Sequence, residues 1–148
     1  MIVSGGHAEP TPPVTAPKPR VIFLTDVENE PDDAMSLVRF LGYSNHLDAE
    51  GLVAITSVHR PDRTAAWRIR EIVAASGEVR ANLETHETGF PLEADLQSVV
   101  AEGRPEFGMS AVGIGKESTS QELIITAATR ADTRPLWVCA WGPADGLE

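Results

Sequence analysis

Val21-Ile22-Phe23-Leu24-Thr25-Asp26-Val27-Glu28-Asn29-Glu30-Pro31-Asp32-Asp33 passes from apolar to acidic within thirteen residues. Val21–Thr25 is a short continuous apolar run, the pattern of a strand covered on both faces. The next eight residues hold five carboxylates: Asp26, Glu28, Glu30, Asp32 and Asp33. Like charges repel, so crowding them at the end of a buried strand makes physical sense if a hard cation neutralises them. Calcium and magnesium take oxygen ligands, and carboxylates are the strongest available. Pro31 suits the first position of a helix, where a missing N–H costs nothing. Ala34, Leu37, Val38 and Leu41 follow at helical spacing, and Gly42 can end the helix. Asp32 and Asp33 then lie in the first turn, where the helix dipole favours negative charge.

Working outward, Leu52–Ser57 reads as a second buried strand. Ala65, Ile69, Ile72 and Val73 mark a second helix that stops near Gly77. Glu78–Pro91 is mixed and reads as a loop. Leu92, Leu96, Val99 and Val100 mark a third helix ending at Gly103, and glycine-rich Pro105–Ser118 reads as a loop. Leu123, Ile124, Ala127 and Ala128 indicate a fourth helix, and Leu136–Trp141 a third strong strand. Strands alternating with helices imply an α/β fold, a mostly parallel, Rossmann-like sheet with helices on both faces. In such sheets ligands bind outside the carboxyl ends of the strands. Asp26 begins at that end of the first strand, and Gly142-Pro143-Ala144-Asp145 occupies that end of the last. Glu148 follows so soon after a buried strand that no covering helix fits, so the domain is expected to be incomplete at its C-terminus.

The chain has 148 residues, 42% of them hydrophobic, enough for one domain with a sizeable core. Residues 1–19 hold five of the eleven prolines and no hydrophobic periodicity, and they read as a disordered leader before a domain over 20–148. The net charge of −10 argues against nucleic acid and anionic membranes, and favours a cation or a neutral polar ligand. No apolar run reaches the ~20 residues a membrane helix needs. The single cysteine, Cys139, excludes an internal disulfide framework and reads as a small buried apolar side chain.

A plain acidic loop or simple helix capping would explain some of the acids. Capping leaves Asp26, Glu28 and Glu30 without a role. An EF-hand fails, because its glycine and final glutamate positions hold Pro31 and Leu37. Other residues carry weaker signals. His59 follows the second strand, yet reads best as a surface histidine. Gly113-Ile114-Gly115-Lys116 lacks the full phosphate-loop pattern, and Ser118 has no His/Asp arrangement near it. Trp67 and Trp137 are expected to pack in the core. Trp141, at a strand exit, is the best candidate for a sugar contact.

The arrangement resembles the nucleoside hydrolase family, which opens with a strand followed by Asp-x-Asp-x-x-x-Asp-Asp and a helix. The spacing here is Asp26-x-Glu28-x-x-x-Asp32-Asp33. Gly51–Ser57 and Gly142-Pro143 also look like that family. A divergent branch is more similar still: secreted bacterial proteins with a nucleoside-hydrolase-like domain, sometimes described as cellulose-binding. Glu28-Asn29-Glu30-Pro31-Asp32-Asp33, Ser36–Arg39, Tyr43-Ser44-Asn45, Lys116-Glu117-Ser118 and Arg134–Val138 carry this resemblance.

The resemblance implies a calcium (Ca2+) site and hydrolysis of an N-glycosidic or other glycosidic bond by a cation-activated water. Glu28 would ligate the metal and take the proton from that water. Asp33 would be a metal ligand, Asp145 a ligand through its backbone carbonyl, Asp32 a holder of sugar hydroxyls and Asp26 a support of the site. A cation lowers the pKa of its water, and a nearby carboxylate can accept the proton. The resemblance also implies a nucleoside or carbohydrate ligand and an extracellular or periplasmic location, and it leaves a homo-oligomer open. The sequence departs from the family at Asn29-Glu30, where relatives have Pro-Gly. It departs again at Arg60-Pro61, where they have a Gly-Asn that helps hold the nucleoside. A late Asp ligand and a His near the leaving base would come from beyond residue 148. The alternative expectation is a carbohydrate-binding domain that keeps the fold without the chemistry.

Overall fold

The structure is a computed structural model that describes residues 16–142. Most of the expected leader, and Asp145, lie outside the described residues. Among the described residues ten elements follow one another, and four strands form one parallel sheet in the order β3-β2-β1-β4. The strands are β1 (Arg20–Thr25), β2 (Asp48–Ala54), β3 (Val100–Glu102) and β4 (Leu136–Ala140). The helices are α1 (Pro31–Leu41), α2 (Ala66–Leu83), α3 (Glu93–Ser98) and α4 (Thr119–Thr129).

Alternation along the strands sorts the core into two layers. Val21 and Phe23 of β1, with Leu52 and Ala54 of β2, face α1, α2 and α3 through Leu37, Phe40, Ile69, Val73 and Leu96. Ile22, Leu24, Val53 and Ile55 face the other way, onto Leu123, Ile124 and Ala127 of α4. Helices therefore cover both faces, as the strand–helix alternation implies. β1 is central. The chain moves from it to β2 and β3 on one side and returns to β4 on the other. The gap between β1 and β4 at their carboxyl ends is thus the point where strand order reverses, the usual place for a ligand crevice in this class of sheet.

Several expected boundaries shift. α2 runs through Gly77 to Leu83, because this glycine serves close packing rather than helix termination. A Cβ there would lie 2.8 Å from Glu93 Oε2 and 3.0 Å from Glu93 Cβ. Residues 92–103 split into α3 and the short strand β3, so Val99 and Val100 leave the helical stripe and enter the sheet side of the core. β2 begins at Asp48 instead of Leu52. Its polar first half is kept in the sheet by pairing with Arg20 and Val21 of β1. β4 is not buried on both faces: Trp137 is 59% and Val138 37% exposed, since β4 is a sheet margin paired only with β1 among the described residues. Trp67 is 53% exposed, because the position after Ala66 falls off the buried stripe Ala66, Ile69, Ile72, Val73. Cys139 is partly buried against the core. Ser118 is the N-cap of α4, its hydroxyl accepting from Gln121 N at 3.4 Å while Gln121 returns the bond.

The amino ends of the strands are tied by charge. Arg20 is buried and donates from Nε and Nη2 to both carboxylate oxygens of Glu50, at 2.6 and 2.9 Å, and from Nη2 to Ala127 O at 2.6 Å. Arg134 donates to Asp132 Oδ2 at 2.7 Å and pairs with Asp48 at 2.9 Å. Glu50 is held below the usual carboxylate range, chiefly by its bonds from Arg20, and Asp132 is held well below it by Arg134. One network therefore joins β1, β2, α4 and the approach to β4.

Gly51 lies under α4, and a Cβ there would sit 2.7 Å from Leu123 Cδ2 and 3.0 Å from Ile22 Cγ2. Leu123 can shift, but Ile22 is fully enclosed. Gly51→Ala is expected to cost about 1–3 kcal/mol in overpacking, read as a lower denaturation midpoint at unchanged slope. An unchanged midpoint would contradict this packing.

Candidate functional site

The acidic segment follows β1 directly, and its geometry begins with Thr25. The Thr25 hydroxyl donates to Asp33 Oδ2 at 2.5 Å and accepts from Val27 N at 3.2 Å. One strand-end threonine thus fixes both the turn out of β1 and the first-turn acid of α1. Asn29 Nδ2 donates to Asp26 Oδ2 at 3.2 Å, and Asn29 N donates to Asp26 O at 3.0 Å, which closes the turn. Pro31 opens α1, as its missing N–H allows, with Asp32 and Asp33 in the first turn.

Asp26 and Asp33 are both buried and come together at the strand exit, while Asp32 is exposed beside them. Burial raises the Asp33 pKa, and the neighbouring Asp26 and Asp32 raise it further, against the opposing bond from Thr25. Among the described residues no Lys, Arg or His forms an ion pair with Asp26, Asp32 or Asp33. From the neighbouring strand exit, the segment after β4 delivers Gly142. A Cβ on Gly142 would sit 2.5 Å from Asp26 Oδ1 and 2.9 Å from its Cγ. The β1 and β4 exits therefore meet at Asp26, and only a glycine fits the contact.

Glu28 goes elsewhere. Its Oε1 lies 2.9 Å from Nε of Arg68, in the first turn of α2. Its φ of 77° puts it in the left-handed region, the only non-glycine there among the described residues. Such a backbone costs roughly 1–2 kcal/mol for a side chain with a Cβ, so the surroundings must hold it. Arg60 contributes, donating from Nη1 to Val27 O at 3.0 Å. Trp141 is partly buried with its ring centroid 4.7 Å from that of Phe23, and its backbone N–H donates to Leu24 O at 2.9 Å. Much of its face is thus occupied by the core. His59 is exposed.

Among the expected site residues, Asp26, Asp32 and Asp33 gather, Glu28 turns toward α2, Trp141 packs on Phe23, and Asp145 lies outside the described residues. Thr25, Arg60, Arg68 and Gly142 are further members of the site. Sequence reasoning missed Arg68; the signal that could have found it is an arginine in the first turn of α2, where the dipole favours acids. A calcium ion takes about six to eight oxygens. Among the described residues no group of three His, Cys, Asp or Glu side chains is placed to hold a metal ion. These residues alone do not fit such an ion, although crowded carboxylates and hydroxyl-bonded Asp33 suit a polyhydroxylated ligand.

The family described as "Cellulose-binding Sde182, nucleoside hydrolase-like domain" matches residues 20–148. The chain belongs to this nucleoside hydrolase-like family. A solved nucleoside hydrolase-related protein from Saccharophagus degradans, associated with carbohydrate metabolism, shares 36% sequence identity and superposes with a TM-score of 0.84. The match covers 88% of the present chain and 32% of that one, so the chain spans about a third of the solved relative. None of the curated proteins matches the sequence. The acidic segment of this nucleoside hydrolase-like domain lies wholly within the matched residues.

If the Asp26–Gly142 contact shapes the crevice, Gly142→Ala is expected to displace the Asp26 carboxylate while leaving the fold intact. On the ligand-binding reading proposed below, affinity should fall by about tenfold or more, the worth of a charge-assisted hydrogen bond, with little change in melting temperature. Unchanged affinity would remove the contact from the site.

Proposed function

We propose that this domain binds a neutral saccharide, of the β-glucan class, at the crevice between the exits of β1 and β4. Asp26, Asp32 and Asp33 accept hydrogen bonds from sugar hydroxyls there. The observation that carries this reading is the Glu28–Arg68 ion pair. The residue that hydrolysis would need as its base faces a permanent cation on α2. The family description and the carbohydrate association of the solved relative support the ligand class. The acidic surface, at net −10, suits a neutral ligand better than an anionic one.

A second reading is metal-dependent hydrolysis of a glycosidic bond, with Glu28 as base and Glu28, Asp33 and Asp145 as calcium ligands. It is favoured by one observation: Asp26 and Asp33 lie together with the charge of Asp32 nearby, and among the described residues no protein cation pairs with them, a like-charge crowding that a divalent ion would relieve. It requires Glu28 to leave Arg68.

Retention on insoluble cellulose, with the chain washed in chelator and released by soluble cello-oligosaccharide, tests the first reading. Turnover of nitrophenyl ribosides or glucosides, abolished by chelator and by Glu28→Gln, would instead establish the second. A chain that neither adheres to cellulose nor turns over a glycoside would contradict both.

A further inference from the structure

Arg68 occupies an unfavourable place for a cation. It is the third residue of α2, in a first turn that holds no acid, where the dipole opposes positive charge. Its Nη1 donates to Glu71 Oε2 at 3.1 Å. Its Nε is buried, lies 2.9 Å from Glu28 Oε1, and makes no directed hydrogen bond. The contact to Glu28 is therefore Coulombic, a charge set against a charge. Glu28, for its part, holds a backbone conformation that L residues avoid. A second arginine, Arg60, fastens the preceding carbonyl at Val27. Two cations from one stretch of chain thus brace a segment whose other acids have no cation among the described residues.

We infer that Arg68 is a built-in counter-cation for Glu28, a positioning residue that takes the place a divalent ion would hold at this carboxylate. It holds residues 26–30 in their observed turn. The absence of any three-carboxylate cluster among the described residues follows directly, because one of the acids is already neutralised and turned aside. The inference deepens the saccharide-binding reading and rests on it only for the purpose of the site, since its test uses no sugar.

Calcium chloride titrated into the chain by calorimetry is the probe, with circular dichroism to verify folding. Wild type should show no stoichiometric calcium binding tighter than millimolar. Arg68→Gln should bind calcium at least about tenfold more tightly, since removal of a guanidinium beside a carboxylate removes a competing charge. Arg68→Lys should behave as wild type, and Arg68→Gln combined with Glu28→Gln should lose the gain. Tight one-to-one calcium binding by wild type, or unchanged affinity in Arg68→Gln, would overturn the inference. Should Arg68→Gln fail to fold, the Arg68 Nε–H resonance provides the second measurement. It should shift on Glu28→Gln, and an unmoved resonance would overturn the pairing. Cellulose retention plays no part in these readouts, so the saccharide reading and this inference can fail separately.

Discussion

Asp33→Asn is expected to make the protein more stable at neutral pH and to weaken saccharide binding by roughly ten- to a hundredfold. The carboxylate sits buried against Asp26 with Asp32 nearby, and its pKa is raised by that burial and crowding. An amide keeps an oxygen to accept from Thr25, whose hydroxyl now donates to Asp33 Oδ2 at 2.5 Å, and it offers Asp26 a donor in place of a charge. The loss of a favourable charge at the start of α1 works against this by a few tenths of a kcal/mol. The net gain should be about 0.5–1 kcal/mol, within the usual range for relief of functional strain, or about 1–4 °C in melting temperature. The sign with pH is fixed by the raised pKa. Such a group contributes stability that is complete below its unfolded value and lost as pH rises through the folded one. The advantage of the amide should therefore grow as pH rises through the folded pKa and vanish below the ordinary carboxylate range near about pH 4. Melting curves across this range check it. An amide variant that is less stable at pH 7, or equally good at binding sugar, would contradict the description of the site.

Arg20→Ala is expected to produce the largest loss of stability, a fall of roughly 10 °C or more. The guanidinium is 3% exposed and joins Glu50 through two bonds, with further bonds to Ala127 O and to Arg134 O at 3.3 Å. Removal leaves Glu50 nearly enclosed, with Arg130 as its remaining cation, and leaves carbonyls of α4 and the β4 approach without their donor. A buried charge that loses its partner is far costlier than the pair was worth. Glu50 is held low in the folded protein first by Arg20. Its contribution is present above the unfolded pKa and is lost as pH falls through the folded value. Without Arg20 that loss should begin at higher pH, so acid unfolding of the variant should move up toward the ordinary carboxylate range near 4. An acid midpoint equal to wild type would show that the network does not pin the sheet.

Much of the fold was legible because a few residues speak unambiguously. Val21–Thr25 could only be a buried strand, and Pro31 with its apolar stripe to Leu41 defines α1 at both ends. Other elements were hidden by tertiary effects. Gly77 reads locally as a stop, yet the helix continues because Glu93 packs where a side chain would be. Val99 and Val100 fit a helical period and a strand equally well, and pairing with β2 decides the matter. The charges that hold the first half of β2 lie far away in sequence, at residues 20 and 134. Trp67 and Trp137 mislead because bulk and apolarity alone do not tell which face of an element is covered.

The acidic site was legible in position and composition, but its pairing was not. Nothing in Asp26–Asp33 announces that Glu28 will turn out of line, since its partner Arg68 lies forty residues away and is chosen by how α2 packs beside α1. The close approach of Gly142 to Asp26 is likewise a property of the β1–β4 pairing. No helix among the described residues is long and apolar enough to cross a membrane.

The decisive measurement is a calorimetric titration of cellohexaose into the wild-type chain, run once in EDTA and once in millimolar calcium. One-to-one binding with the same Kd in both buffers is the expected result, because Arg68 already supplies the positive charge at Glu28. Binding that appears only when calcium is present would contradict the account, and so would sugar consumed rather than bound.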